Sequence, residues 1–87
     1  MDYYQIKWTN SAKKELKKLD KNIIPRLISA VEELAQNPYP QGVKKLVNSD
    51  NNYRIRVGDY RIIYEIKSSV LIIYIIKVGN RQSVYKK

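Results

Sequence analysis

Three arginines lie in a stretch of the sequence that is typical of a β-hairpin. Arg54 and Arg56 alternate with apolar residues before a Gly58-Asp59 pair. Arg61 follows in the next run of β-favouring residues. Gly-Asp suits the positive φ angles of a two-residue hairpin turn. Such a turn pairs Arg56 with Arg61 and puts all three guanidinium groups on one face, because side chains alternate along a strand.

This arrangement of guanidinium groups predicts a site for phosphate. Two arginines directly across from each other destabilise a sheet unless an anion or water screens them, and guanidinium matches the geometry of phosphate oxygens. A phosphodiester attacked by its own 2'-hydroxyl develops extra negative charge at phosphorus, which fixed cations stabilise. The reaction needs a positioned nucleophile and a proton for the leaving oxygen, but neither metal nor His. The alternative is that these arginines only keep an exposed strand soluble.

Four further residues are candidates for the same site. Arg81 and Tyr85 follow the apolar run at residues 70–78, where the chain can return to the rim of the sheet. Lys44 and Lys45 could extend a basic groove, although an exposed lysine pair can also be simply solvated. A tyrosine near a chain end can equally be a packing residue.

The composition limits the chemistry and suggests the partner. The 87 residues carry a net charge of +9 and include no Cys and no His. Disulfides, thiolate chemistry and the commonest zinc ligands are therefore excluded, and we expect neither a metal nor a cofactor. Residues 53–87 hold eight basic side chains and two acidic ones, a net of +6. This favours a polyanionic partner such as nucleic acid or an acidic protein.

The periodicity of the chain predicts an α+β domain over residues 1–87. Residues 3–8 alternate as an opening strand, and two amphipathic helices follow at about residues 11–19 and 25–36. A little extended structure is expected around residues 44–46 before the hairpin. Residues 70–78 read as a central strand covered on both sides, ended by Gly79-Asn80. A short strand or tail is expected at residues 81–85. The longest apolar run, residues 70–76, is too short to cross a bilayer. The start lacks the features of a signal peptide, so a cytoplasmic location is expected.

Several of these segments together resemble the RelE branch of the RelE/ParE toxin superfamily of bacterial toxin–antitoxin systems. The resemblance is carried by the hairpin at residues 53–64, by Val78-Gly79-Asn80-Arg81 and Val84-Tyr85, and upstream by residues 8–12, Leu16, Leu19 and Asn37-Pro38. It implies an N-terminal strand, an α-helical hairpin and then a three- to four-stranded antiparallel sheet, in the order β-α-α-β-β-β. That order is the one that the periodicity predicts.

The resemblance also implies an activity and partners. A toxin of this kind is an endoribonuclease that cuts mRNA in the ribosomal A site by attack of a 2'-hydroxyl on the neighbouring phosphate. It is restrained by an acidic RelB-like antitoxin in a hetero-oligomer. By position, Arg54 and Arg56 look like the basic residues of the second strand, and Arg61 like the group that stabilises the transition state. Arg81 looks like the residue that assists the leaving group. Tyr85 looks like the aromatic that stacks on a nucleotide.

Two departures from the family pattern bear on the mechanism. Arg54 and Arg56 stand where the best-known member has lysines, and because an arginine is a poor general base, Arg54 is expected to act electrostatically. Asn80 replaces a His that many relatives carry, so it can orient a phosphate or water but cannot shuttle a proton. Two alternatives stay open. One is a non-enzymatic inhibitor of DNA gyrase of the ParE kind, and the other is an inactive RNA or ribosome binder.

Overall fold

A computed structural model describes residues 3–47 and 50–80 of the chain. Within these two ranges, one strand, two helices and four further strands follow each other: β1 Gln5–Trp8, α1 Asn10–Lys17, α2 Ile24–Leu34, β2 Lys44–Lys45, β3 Asn52–Val57, β4 Tyr60–Lys67 and β5 Ile72–Asn80. This order confirms the predicted α+β fold. None of the helices in this part of the chain is long and apolar enough to cross a membrane.

The strands form a single sheet in the order β1-β5-β4-β3-β2. Neighbours from β2 to β5 are antiparallel, whereas β1 runs parallel to β5 with Gln5 opposite Ile72 and Trp8 opposite Ile75. A parallel pair needs a long connection, and here the helices and three strands lie between the two partners. β1 therefore lies beside β5, at the edge of the sheet opposite β2.

The hairpin has the predicted register. Val57 pairs with Tyr60, Arg56 with Arg61 and Tyr53 with Tyr64. Gly58 has a φ of 62°, in the left-handed region where glycine carries no steric penalty. The predicted faces of residues 53–57 and 60–64 are therefore confirmed.

β5 differs at both ends from the strand predicted at residues 70–78. Val70 lies in a turn and is 57% exposed, because the chain reverses through Leu71, whose φ is 56°. At the other end Gly79 and Asn80 continue β5 instead of breaking it, since they pair with Arg61 and Tyr60 at the start of β4. A shift in register between Ile63 and Tyr64 marks a bulge in β5. The predicted segment at residues 81–85 lies outside the described residues.

The helices cover one face of the sheet, called here the helix face. The buried apolar side chains among the described residues are Ala12, Leu27, Val31 and Leu34 from the helices, and Ile55, Ile62, Tyr64, Ile66, Ile73, Ile75 and Val78 from the strands. Burial of this apolar surface is the main stabilising term of such a fold. The predicted covering of β5 on both sides is therefore only half right, because Tyr74 and Ile76 are only partly buried.

The first helix is fixed to the sheet at its N-terminus. The Thr9 hydroxyl accepts from the backbone N–H of Ala12 at 3.1 Å and donates to the carbonyl of Ile75 at 2.9 Å. A threonine N-cap of this kind satisfies one of the free N–H groups of the first turn. The helices are slightly shorter than predicted, and Pro25 lies in the first turn of α2 as its missing N–H requires.

Candidate nucleic-acid interface

The face of the sheet opposite the helices, called here the open face, carries most of the basic residues of the strands. Side chains directly opposite each other on paired strands share a face. The register therefore places Lys44, Arg54, Ile63 and Lys77 in one row across four strands. The next row holds Arg56, Arg61 and Gly79. The predicted convergence of Arg54, Arg56 and Arg61 on one face is what the structure has.

Arg61 is buried, with only 4% of its surface exposed. Its Nη1 donates to the carbonyl of Tyr60 at 3.2 Å, while its Nε has no acceptor among the described residues. A buried charge costs stability unless it is paired and hydrogen-bonded. Within residues 3–47 and 50–80, no carboxylate forms a salt bridge with Arg56 or Arg61. An anion held by the exposed Arg56 would lie across the strand pair from this buried charge and would offset it electrostatically.

The flanking cations differ in how available their charge is. Arg56 is exposed and Arg54 is half-buried beside it. Lys77 is held by Glu15 of α1, with 3.3 Å between Nζ and Oε2. The other oxygen of Glu15 accepts from the backbone N–H of Val78 at 3.0 Å. This carboxylate therefore provides a hydrogen-bond acceptor for the backbone of β5 at a position beyond the end of β1. Sequence reasoning missed Lys77, although a lysine inside an apolar run was a usable signal.

Two candidates fall on the other face. Lys45 pairs with Tyr53 and Asn80 pairs with Tyr60, and both tyrosines belong to the helix face. The structure thus keeps Lys44 with the arginines and separates Lys45 and Asn80 from them. The remaining two candidates, Arg81 and Tyr85, lie outside the described residues.

A second basic group lies near the tip of the hairpin. The guanidinium of Arg26 on α2 is close enough that a Cβ added at Gly58 would lie 3.8 Å from its Nη2. A separate groove of about 260 Å³ lies between α2 and β3, with Arg56 and Glu33 among its lining residues. Arg26 carries no signal in the sequence, because only tertiary packing brings α2 to the turn.

Tyrosines on the helix face hold the strands of the arginines in place. The ring of Tyr53 stacks on Tyr64 at 6.1 Å between centroids and meets the edge of Tyr39 at 5.3 Å. The Tyr64 hydroxyl donates to the carbonyl of Pro38 at 2.7 Å. Burial, and then the neighbouring phenols of Tyr39 and Tyr53, raise the pKa of Tyr64. These rings tie the turn after α2 to the two strands that carry Arg54 and Arg61.

The chemistry of the open face is that of fixed cations. In the part of the chain that the structure describes, no group of three or more carboxylates, His or Cys is placed to hold a metal ion. The guanidinium groups are donors without acceptor capacity. Such a face can bind phosphate oxygens and stabilise negative charge that develops on them.

The chain matches known proteins along nearly its whole length. Residues 6–85 match the family model described as ParE toxin of type II toxin–antitoxin systems. A curated relative from Methanocaldococcus jannaschii, the putative toxin RelE1, is 34% identical over 76 residues, which are 84% of each chain. Toxin RelG of Mycobacterium tuberculosis is 27% identical over 89 residues, covering 97% of this chain and 98% of the relative.

Solved structures resemble the fold closely. The toxin–antitoxin complex RelBE2 of Mycobacterium tuberculosis contains a chain that matches with a TM-score of 0.82 and 25% identity, over 93% of this chain and 94% of that one. The archaeal RelE–RelB complex of Pyrococcus horikoshii matches with a TM-score of 0.80 and 31% identity, over 91% and 96%. These matches confirm the resemblance inferred from the hairpin. The chain belongs to the ParE toxin family of type II toxin–antitoxin systems, as a RelE-like toxin.

Proposed function

We propose that this toxin is a metal-independent endoribonuclease that cuts mRNA in the ribosomal A site and so inhibits translation. The observation that supports this most is the row of Arg56 and Arg61 on the open face. It pairs an exposed guanidinium with a buried one whose Nε has no acceptor among the described residues. In such a site the exposed Arg56 can bind an anion from solvent, and the buried Arg61 adds a fixed positive charge beside it.

The reaction breaks one phosphodiester bond without a covalent enzyme intermediate. The 2'-oxygen of a ribose attacks the adjacent phosphorus, and the bond from phosphorus to the 5'-oxygen breaks. The products are a 2',3'-cyclic phosphate and a 5'-hydroxyl. The proton of the 2'-hydroxyl passes to a base, and the 5'-oxygen receives a proton. Both non-bridging oxygens carry more negative charge at the transition state than before, and nearby fixed cations lower the barrier.

Each arginine has a part in this proposal. Arg61, held rigid by burial, is already oriented before the phosphate arrives, which is the condition for electrostatic catalysis. Arg56, which is paired with Arg61, binds the same phosphate from β3. Arg54 adds a positive charge in the neighbouring row of side chains. From the family resemblance, Arg81 assists the leaving oxygen and Tyr85 stacks on a nucleotide.

The proposed partners follow from the charge and from the relatives. The matched complexes of Mycobacterium tuberculosis and Pyrococcus horikoshii contain RelB beside RelE. We propose an acidic RelB-like antitoxin for this chain, in a hetero-oligomer that neutralises part of its net charge of +9. Ribosomes and mRNA are the target, which places the action of the toxin in the cytoplasm.

Cleavage of mRNA on translating ribosomes tests the proposal. Purified protein should produce new 5' ends that lie inside codons, and Arg61→Ala should lower the rate about 100-fold, as loss of one transition-state donor does. Lys21→Ala removes an equal charge from an exposed position between the helices and should leave the rate within about twofold. Full activity in Arg61→Ala would contradict the catalytic assignment.

The second candidate function is inhibition of DNA gyrase without catalysis. It is favoured by the match of residues 6–85 to the ParE toxin family. Cells that express such an inhibitor should accumulate DNA damage while their mRNA stays intact. Intact DNA together with mRNA cut inside codons would exclude it. Salt-dependent RNA binding without any product would indicate an inactive binder.

A further inference from the structure

The open face continues well beyond the arginines. Two rows further from Arg61, the register aligns Glu65 of β4, Tyr74 of β5 and Lys7 of β1. The row after that contains Lys67 of β4. From the rise per residue of a strand and the spacing between strands, Tyr74 lies roughly 14 Å from Arg61. An RNA strand bound at Arg61 can reach Tyr74 with a few nucleotides.

Tyr74 differs from the tyrosines of the helix face. It is half-buried, so its ring is seated in the sheet with part of it accessible. Within the described ranges no aromatic ring packs against it and no group hydrogen-bonds its hydroxyl, whereas Tyr53 and Tyr64 stack and Tyr64 donates to Pro38. An accessible ring on a rigid strand offers a stacking surface to any nucleobase.

The charges around Tyr74 suit a polyanion. Lys7 and Lys67 are exposed on either side of it, on β1 and β4. The acidic neighbour Glu65 lies 3.7 Å from Lys67, so its charge is partly compensated. The arrangement of an aromatic side chain between cations is the one used by surfaces that bind single-stranded nucleic acid.

We infer that Tyr74, Lys7 and Lys67 form a second contact site for single-stranded RNA, in which a base stacks on Tyr74 while the lysines contact the backbone. The inference rests on the proposed function, since the occupant is the continuation of the strand bound at the arginines. An acidic protein segment would use the lysine charges alone. A nucleotide uses the charges and the ring together, and this is why RNA is the occupant that the site fits best.

Binding of uncleavable RNA by the full chain tests the second site. The probes are a fluorescent 2'-O-methyl RNA of about twelve nucleotides, which can reach from Arg61 to Tyr74, and a trinucleotide, which cannot. Tyr74→Leu should weaken binding of the long RNA about tenfold and leave the trinucleotide unchanged. Tyr4→Leu is the matched control, because Tyr4 is also half-buried but its side chain packs against the hydrophobic core.

The lysines are tested by the dependence of binding on salt. Lys7→Gln/Lys67→Gln should reduce the slope of log affinity against log salt by about 1.4, or about 0.7 for each contact with single-stranded RNA. The control Lys13→Gln/Lys21→Gln makes the same change of charge at exposed positions outside the sheet. Thermal melting confirms that each variant is folded.

The outcomes separate this inference from the proposed function. Equal affinity of Tyr74→Leu and wild type for the long RNA would overturn the second site, even where ribosomal mRNA is cut. Dependence of binding on Tyr74 would support the second site even where no cleavage occurs, a result that would end the nuclease proposal instead. A polyglutamate peptide that binds with the same dependence on Tyr74 as RNA would also overturn the assignment to RNA.

Discussion

Arg61 and Ile62 are neighbours on β4, and both are nearly inaccessible, with 4% and 0% of their surfaces exposed. Ile62 lies on the helix face among apolar side chains, where burial itself stabilises the fold. Arg61 lies on the open face with its Nε lacking an acceptor among the described residues. Equal burial therefore has opposite consequences on the two faces. The helix face is filled by apolar packing, whereas the open face carries a buried guanidinium whose hydrogen bonds are incomplete among the described residues.

The same contrast separates the tyrosines. On the helix face, Tyr53 and Tyr64 stack, and the Tyr64 hydroxyl is bonded to the backbone. On the open face, Tyr74 has no such partner within the described ranges. The core and the proposed binding site thus use alternate residues of the same strands. The effect of a mutation should therefore depend on which face its side chain occupies more than on how deeply it is buried.

The largest expected effect is on the helix face. Ile62→Ala should lower the free energy of unfolding by about 2–5 kcal/mol, because it removes buried apolar surface and leaves a cavity. Urea unfolding followed by circular dichroism measures it. The exposed Val70 is the matched control, and Val70→Ala should change stability by less than about 0.5 kcal/mol. Equal stability of Ile62→Ala and wild type would mean that the helix face is not the core.

A substitution of Arg61, the neighbour of Ile62, should leave stability unchanged or higher and should remove mRNA cleavage. Arg61→Leu should melt at or above the temperature of wild type, because Arg61 is buried without a carboxylate partner among the described residues, and replacing such a charge by an apolar side chain is often neutral or stabilising. Its cleavage of mRNA should fall about 100-fold.

A ligand effect sharpens the same comparison. Phosphate should raise the melting temperature of wild type more than that of Arg61→Leu at matched ionic strength, since ligand binding stabilises the folded state. Destabilisation of Arg61→Leu as large as that of Ile62→Ala would instead make Arg61 a structural residue.

A smaller effect is expected from the hydroxyl of Tyr64. Tyr64→Phe removes the 2.7 Å hydrogen bond to Pro38 and should cost about 0.5–1.5 kcal/mol of stability near neutral pH. Burial raises the pKa of Tyr64 above its ordinary value of 10.0. Above pH 10 the unfolded chain therefore releases the proton while the folded chain keeps it. Wild type should lose stability faster with rising pH than Tyr64→Phe, as parallel urea titrations at several pH values will measure.

The smallest expected effect compares the adjacent lysines of β2. Lys44 shares the open face with Arg54, whereas Lys45 is opposite Tyr53 on the helix face. Lys44→Gln should reduce the salt slope of single-stranded RNA binding by about 0.7, and Lys45→Gln should leave it unchanged. An equal change in both variants would show that the two faces are not distinguished by RNA.

The sequence predicted the hairpin well because its information is local. A two-residue turn at Gly58-Asp59 fixes the register, and alternation then fixes the face of Arg54, Arg56 and Arg61. The order of the helices and strands also follows from periodicity along the chain. These features could be predicted without knowing which distant segments of the chain contact each other.

Most of the features that the sequence did not reveal depend on distant partners. The apolar run at residues 70–78 did not show that Val70 belongs to a turn, or that pairing with β4 carries the strand through Asn80. The side of Lys45 depends on its register with β3, and the burial of Arg61 depends on tertiary structure. The parallel pairing of β1 with β5 joins segments that no local pattern connects.

The pairing of Gln5 with Ile72 sets a condition on how the toxin is made. A contact so distant along the chain closes late, because a large loop must be ordered before the pairing is gained. During synthesis the N-terminal segments emerge first, so β1 has no neighbour in the sheet until β5 has left the ribosome. The sheet therefore stays incomplete, and the toxin unfinished, until nearly all of the described residues have been translated.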